Sequence, residues 1–277
     1  MSGCPLLGWL FIRQHLVSTM HILIAHDLTP EADLALLRAA QLARQHDAQL
    51  TLLHVQEHEG DTQALQDRLN ALNLAKADLR LAKGQPSSAI ASQAEGVGAT
   101  LLVLGAHHKT RPELFAGTTL ERLARNCRIP LLLAINRDVS PYRRALVALD
   151  FSQCACAALH HTHRLLPTEA ELHALNVFEV APSKAAEQQD ELDLQCSLFD
   201  RLVADEQARL EAPGRIVQYG VRSGERAACL AEAIREQQPQ LLALGKHTRS
   251  LMSDALLGGL AQDLLRQPPC DILISRG

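Results

Sequence analysis

Aromatic residues are scarce, with Phe, Trp and Tyr making up 3% of the 277 residues. A core without them must be built from Leu, Ala, Ile and Val. Such a core suits helices packed on a parallel sheet better than an aromatic-rich β-sandwich. No basic run stands out and the net charge is −4, so the electrostatic footprint of a nucleic-acid binder is absent. No apolar run reaches the roughly 20 residues that span a bilayer. The run from Leu6 to Ile12 is short, has no Lys or Arg before it and no A-x-A-like cleavage site after it, which makes a poor signal peptide. The seven cysteines are scattered, Cys154 and Cys156 form the one close pair, and no C-x-x-C supports a zinc ribbon or redox motif. Reduced thiols in a cytoplasmic protein are the expectation. G-x-S-x-G, a Walker A lysine and paired carboxylates are also missing, which leaves no visible nucleophile–base arrangement and at most a weak ATPase.

What the chain does have is itself, twice. His21 to Asp27 (HILIAHD) is an apolar run ending in an acid, and Arg144 to Asp150 (RALVALD) repeats it. Each is followed by a helix-start signal, Thr29-Pro30 or Ser152, and then by Leu and Ala at helical spacing over about 30–46 and 153–166. Second strands are expected at Gln49–Val55 and Glu171–Val177. Polar helices follow at about 61–75 and, longer, at about 184–211. Third strands end near Gly84 and Val221. The fourth, Thr100–Gly105 and Gln240–Gly245, match best, and the last are Pro130–Ile135 and Cys270–Ile274. Each half therefore reads β-α-β-α-β-α-β-α-β. The fold class is α/β: two tandem open five-stranded parallel sheets of Rossmann-like type, with right-handed crossovers and helices on both faces. Residues 20–137 and 142–277 are the expected domains, joined by the short linker Asn136–Tyr142. Residues 1–19, which end just before Met20, are expected to be a loosely ordered extension or to precede the natural start.

Ligands of open parallel sheets bind outside the carboxyl ends of the strands. Asp27 and Asp150 stand there, as do the loops after Gly105 and Gly245, which lead into helices starting near Gly117-Thr118 and Gly258-Gly259. A strand-end Asp can bond ribose hydroxyls, and a helix N-terminus can hold phosphate. The same Asp can equally cap the next helix, and the same glycines can merely end strands.

Over residues 20–277 the chain resembles the universal stress protein family, in two copies. The resemblance rests on Ala25-His26-Asp27, on Leu52-Leu53-His54-Val55, on Gly245-Lys246-His247-Thr248 with nine residues before Gly258-Gly259, and on the closing Pro269 to Ile274. Nucleotide-binding members carry G-x2-G-x9-G-[S/T] in that loop. Both halves depart from it. In the first half His108 replaces the second glycine and the loop to Gly117 is one residue short, while Thr118 keeps the hydroxyl. In the second half Thr248 replaces the second glycine and Gly259 the hydroxyl residue. The resemblance implies a cytoplasmic stress-response protein that binds ATP, with Mg²⁺, or another adenine nucleotide in at least one degenerate site. Carried over, the sites are Asp27, Val55, Gly105, His108, Gly117 and Thr118, and Asp150, Val177, Gly245, Lys246, Thr248, Gly258 and Gly259. The intact loop length favours the second half. Lys246 stands either at a phosphate or, more simply, on the surface. The resemblance also implies that the halves pair through their last strands, with a further homodimer as an option. The rival expectations are a nucleotide-free dimerising scaffold and a weak ATPase.

The 13 histidines raise the question of metal. His160 and His163 lie one helical turn apart with His161 beside them, and His26, His107 and His108 could cluster at the first mouth. No third ligand is placed by spacing and no H-E-x-x-H occurs, so no metal site is assigned.

Overall fold

A computed structural model of the protein describes residues 19–56, 61–106, 118–179, 189–210, 216–246 and 258–277. The first half runs β1 (His21–Ala25), α1 (Pro30–His46), β2 (Gln49–Val55), α2 (Asp61–Ala71), β3 (Asp78–Ala82), α3 (Pro86–Gly96), β4 (Leu101–Gly105), α4 (Thr119–Asn126) and β5 (Leu131–Ala134). The second half repeats the order with β6 (Arg144–Ala148), α5 (Gln153–Leu165), β7 (Glu171–Phe178), α6 (Gln189–Arg209), β8 (Ile216–Ser223), α7 (Arg226–Gln237), β9 (Leu241–Gly245), α8 (Gly259–Arg266) and β10 (Asp271–Ser275). Local chemistry sets the boundaries. Thr29 caps α1 by accepting the Ala32 amide at 3.2 Å, Pro30 occupies the first helical position, and Asp47 closes the helix in the left-handed region at φ 48°. The helix expected over 61–75 stops at Ala71, because Asn73 turns left-handed at φ 55°.

All ten strands form one sheet in the order β3-β2-β1-β4-β5-β10-β9-β6-β7-β8. Every pairing is parallel except β5 with β10, where Leu131, Leu132 and Leu133 face Ile274, Leu273 and Ile272 in antiparallel register. That seam joins the halves through side chains no more than 3% exposed. Side chains alternate across the strands and build a layer on each face. Ile22, Ile24, Leu101 and Val103 pack with α1, α2, α5 and α6. Leu23, Leu102 and Leu104 pack with α3, α4, α7 and α8. Both layers run through both halves, so the core does not divide at the linker. Among the described residues no helix is long and apolar enough to cross a membrane.

One buried carboxylate ties the seam, the linker and the first helix together. Asp271, fully buried at the start of β10, accepts the Ile135 and Asn136 amides on Oδ1 at 2.7 and 2.8 Å. Its Oδ2 accepts the Tyr142 hydroxyl at 2.6 Å and Arg38 Nε at 3.2 Å. Three further guanidinium donors of Arg38 go to Gln41 Oε1 and to the linker carbonyls of Ser140 and Asp138, at 3.0, 2.8 and 2.7 Å. The guanidinium also lies over the Tyr142 ring, 4.2 Å from its centre. Burial, and then the adjacent Asp271, hold the Tyr142 phenol well above its ordinary range, so it stays a donor. Breaking a buried pair leaves its other charge stranded. Asp271→Ala is expected to cost about 3–5 kcal/mol, and Tyr142→Phe about 1.5–3 kcal/mol because it removes one hydrogen bond to a charged group. Urea unfolding of the two variants checks this, and a loss under about 1 kcal/mol for Asp271→Ala would contradict it.

Candidate functional site

In the first half the strand order reverses between β1 and its neighbours: β1 leads outward to β2 and β3 on one side and to β4 and β5 on the other. A cleft of about 610 Å³ opens at this switch point. Its walls include Leu53 and Val55 from the end of β2, Ile90 from α3, Leu104 and Gly105 from β4, and Leu120 from α4. Its polar groups include His26, Asp27, Thr29 and His54. An apolar pocket with a few convergent polar groups is the ordinary form of a small-molecule site.

The rim is built by a turn that the two halves share. Asp27 Oδ1 accepts the Thr29 amide at 3.2 Å and the Thr29 hydroxyl at 2.6 Å. Asp150 does the same with Ser152, again at 3.2 and 2.6 Å. The residue between, Leu28 or Phe151, is left-handed at φ 67° or 66°. Each Asp therefore braces the residue that caps the next helix. Asp27 remains exposed at the cleft, so capping and ligand contact are compatible there.

Gly105 and Gly245 serve packing. A Cβ on Gly105 would stand 2.4 Å from the Glu31 carbonyl oxygen in α1, and one on Gly245 would stand 2.4 Å from the Ala155 amide in α5. Glycine lets the first turns of α1 and α5 press against β4 and β9. Thr118 caps α4, accepting the Glu121 amide at 3.1 Å, and its own amide donates to the Glu121 carboxylate at 3.3 Å. Gly258 heads α8 with no side-chain cap, and Gly259 is the first helical residue. Val177 is half-buried one residue before the end of β7, and Val55, also half-buried, ends β2. Lys246 is not a surface residue. It is 2% exposed, and its Nζ donates to the carbonyl oxygen of Arg125 at the end of α4, where a helix favours a cation. His107, His108, Gly117 and Thr248 lie outside the described residues.

Two histidines floor the first-half cleft. His26 Nδ1 accepts the Leu28 amide at 3.0 Å, so the ring proton sits on Nε2 and donates to Asp33 Oδ1 at 3.0 Å. Asp33 in turn accepts from Arg68 Nε at 2.5 Å. His54 Nδ1 faces the His26 carbonyl oxygen at 2.7 Å and must donate to it. The sequence showed His54 only as part of an L-H-V segment, and its position at the end of an inner strand was the available signal. In the second half the same carbonyl, that of Leu149, is held by Asn176 Nδ2 at 2.8 Å. His160 Nε2 donates to the Glu206 carboxylate at 2.6 Å, and no group of three or more His, Cys, Asp or Glu among the described residues could hold a metal ion.

Burial, the largest cause in each case, lowers the pKa of His26, His46 and His161 below the ordinary 6.5. The unfolded chain then takes up protons first as the pH falls. The stability contributed by these groups is whole above about pH 6.5 and is lost as the pH drops below it. Protonating His26 Nδ1 would also set two donors against each other at the Leu28 amide. Leu149 occupies the equivalent second-half position, so His26→Leu is expected to fold and to flatten the fall in melting temperature between about pH 8 and about pH 5. An unchanged pH profile would exclude His26 as a contributor.

The family model described as the universal stress protein family matches residues 19–81, 64–134 and 141–276. Among solved structures, a universal stress protein from Archaeoglobus fulgidus superposes with a TM-score of 0.69 at 18% identity, covering 92% of this chain and 98% of its own. A functionally unknown protein from Pseudomonas aeruginosa gives 0.64 at 17% identity, covering 94% and 93%. At these identities the two share the fold. None of the curated proteins matches.

Proposed function

The chain belongs to the universal stress protein family, and from that premise we propose that it is a cytoplasmic stress-response protein that binds an adenine nucleotide in its first-half cleft. The observation that carries this is the cleft itself, about 610 Å³, at the switch point of the sheet with Asp27 at its rim. Leu53, Val55, Ile90 and Leu104 offer apolar walls for a flat base, and the Asp27 carboxylate can accept from ribose hydroxyls or meet the Mg²⁺ of ATP. Residues 20–137 and 142–277 act as its two domains. The loop spacing favoured the second half, but Lys246 there donates to the Arg125 carbonyl oxygen of the first half. In this reading the second half serves mainly as the built-in partner of the first.

Calorimetric titration with ATP and Mg²⁺ tests the reading. Asp27→Asn keeps an oxygen to brace Thr29 but loses the charge, and is expected to weaken binding about tenfold, the worth of one charge-assisted hydrogen bond. No heat with wild-type protein, with no nucleotide released on denaturation, would favour the nucleotide-free scaffold.

A further inference from the structure

On one face of the sheet the halves meet through α4 and α8. These helices are counterparts, so a repeat folded against itself would place like contacts in both directions across the meeting line. The polar contacts here run one way. Arg266, the last residue of α8, donates from Nε to Glu121 Oε1 in α4 at 3.1 Å. Lys246, the residue after β9, donates from Nζ to the carbonyl oxygen of Arg125 in α4. Both cations belong to the second half and both acceptors to the first. At the equivalent positions the first half has Asn126 for Arg266 and Ala106 for Lys246, and the second half has Ala261 for Glu121. Contacts in either direction would hold the halves together equally well, and the seam between β5 and β10 already does so. The one-way pattern singles out α4.

Helix α4 walls the first-half cleft. Its first two residues, Thr119 and Leu120, line it. Glu121, 4% exposed, acts at that same end: Oε2 accepts the Thr118 amide at 3.3 Å and Oε1 accepts Arg266, with the Arg125 guanidinium 3.9 Å away on the same helix. The Glu121 amide in turn donates to Thr118 Oγ1 at 3.1 Å. Arg266 therefore orients the carboxylate that closes the capping box, and the capping box fixes the turn that carries Thr119 and Leu120. Lys246 holds the other end, where the carbonyls of a helix favour a cation. A helix of 8 residues gripped at both ends is placed as a unit. By contrast α8 starts at Gly258 with no side-chain cap.

We infer that the second half sets one wall of the first-half cleft: Arg266 and Lys246 are positioning residues that hold α4, and with it Thr119 and Leu120, in place for the ligand. What the cleft holds rests on the nucleotide reading above. What places its wall rests on these contacts alone.

Amide hydrogen exchange of the ligand-free full chain tests this, together with calorimetric titration with ATP and Mg²⁺. The Arg266 side chain is 63% exposed, so Arg266→Gln is expected to fold with an unchanged melting temperature. It is expected to speed exchange of the Glu121 and Arg122 amides, both bonded to Thr118, about fivefold, the upper end for an ion pair with one exposed partner. The Gln262 amide, at the matching place in α8, is expected to keep its rate. ATP affinity is expected to fall by the same factor, and Arg266→Lys to restore both readouts. Lys246→Met removes the grip at the other end and is expected to produce the same two changes. Equal acceleration at Gln262 would reduce the contacts to cohesion between the halves and overturn the inference. Unchanged exchange at Glu121 and Arg122 would overturn it too, as would faster exchange there with undiminished affinity in a chain that binds ATP. A wild-type chain that takes up no ATP sinks the nucleotide reading instead, and the exchange pattern then decides this inference by itself.

Discussion

A single buried carboxylate, that of Asp271, sits where three parts of the chain must meet. Asp271 opens the last strand, which lies against the last strand of the other half, and it binds the two amides that leave β5. Tyr142 from the end of the linker and Arg38 from the first helix complete its shell. A buried charge is tolerated only when its hydrogen-bonding capacity is filled. Each of these contacts comes from a different segment, so filling that capacity fixes their relative positions. The linker cannot swing, because its carbonyls hold the guanidinium that holds Asp271. The continuity of the ten-stranded sheet follows from this arrangement together with the aliphatic seam between β5 and β10.

On that frame the two halves keep one architecture and divide its uses. Both brace their first helix with Asp and a hydroxyl, and both hold the carbonyl before that Asp from the second strand. The first half does so with His26 and His54, which place polar hydrogen-bonding rings at the floor of a cleft. The second has Leu149 and Asn176 instead. Its cation, Lys246, reaches across to the end of α4 and serves cohesion. The pattern is a repeat in which the first copy opens a cleft at its switch point and the second lends a lysine to the contact between the halves.

The strands were legible because parallel strands covered on both faces are written as unbroken apolar runs, and the repeat fixed their order. The helix starts at Thr29 and Ser152 were legible from their hydroxyls. Other features were not. Arg38 lies between Leu36 and Ala39 on a buried face, and Asp271 stands at the head of an aliphatic strand. Each is an anomaly in sequence, but nothing local says that they answer each other across 233 positions. Gly105 and Gly245 read equally as phosphate-loop glycines, and only the 2.4 Å approach of the helix backbone reveals the packing reason. Lys246 misled for the opposite cause: a lysine after a strand end is ordinarily solvated, and its partner comes from the other half.

The central claim is that the first half, and not the second, holds the ligand. Histidine-ring NMR during titration with ATP and Mg²⁺ tests it most directly, because the histidines report on both halves. The account predicts that the resonances of His26 and His54 at the floor of the first cleft shift with saturation, while those of His160 and His161 in α5 stay in place. Shifts confined to His160 and His161, or none at all, would contradict it.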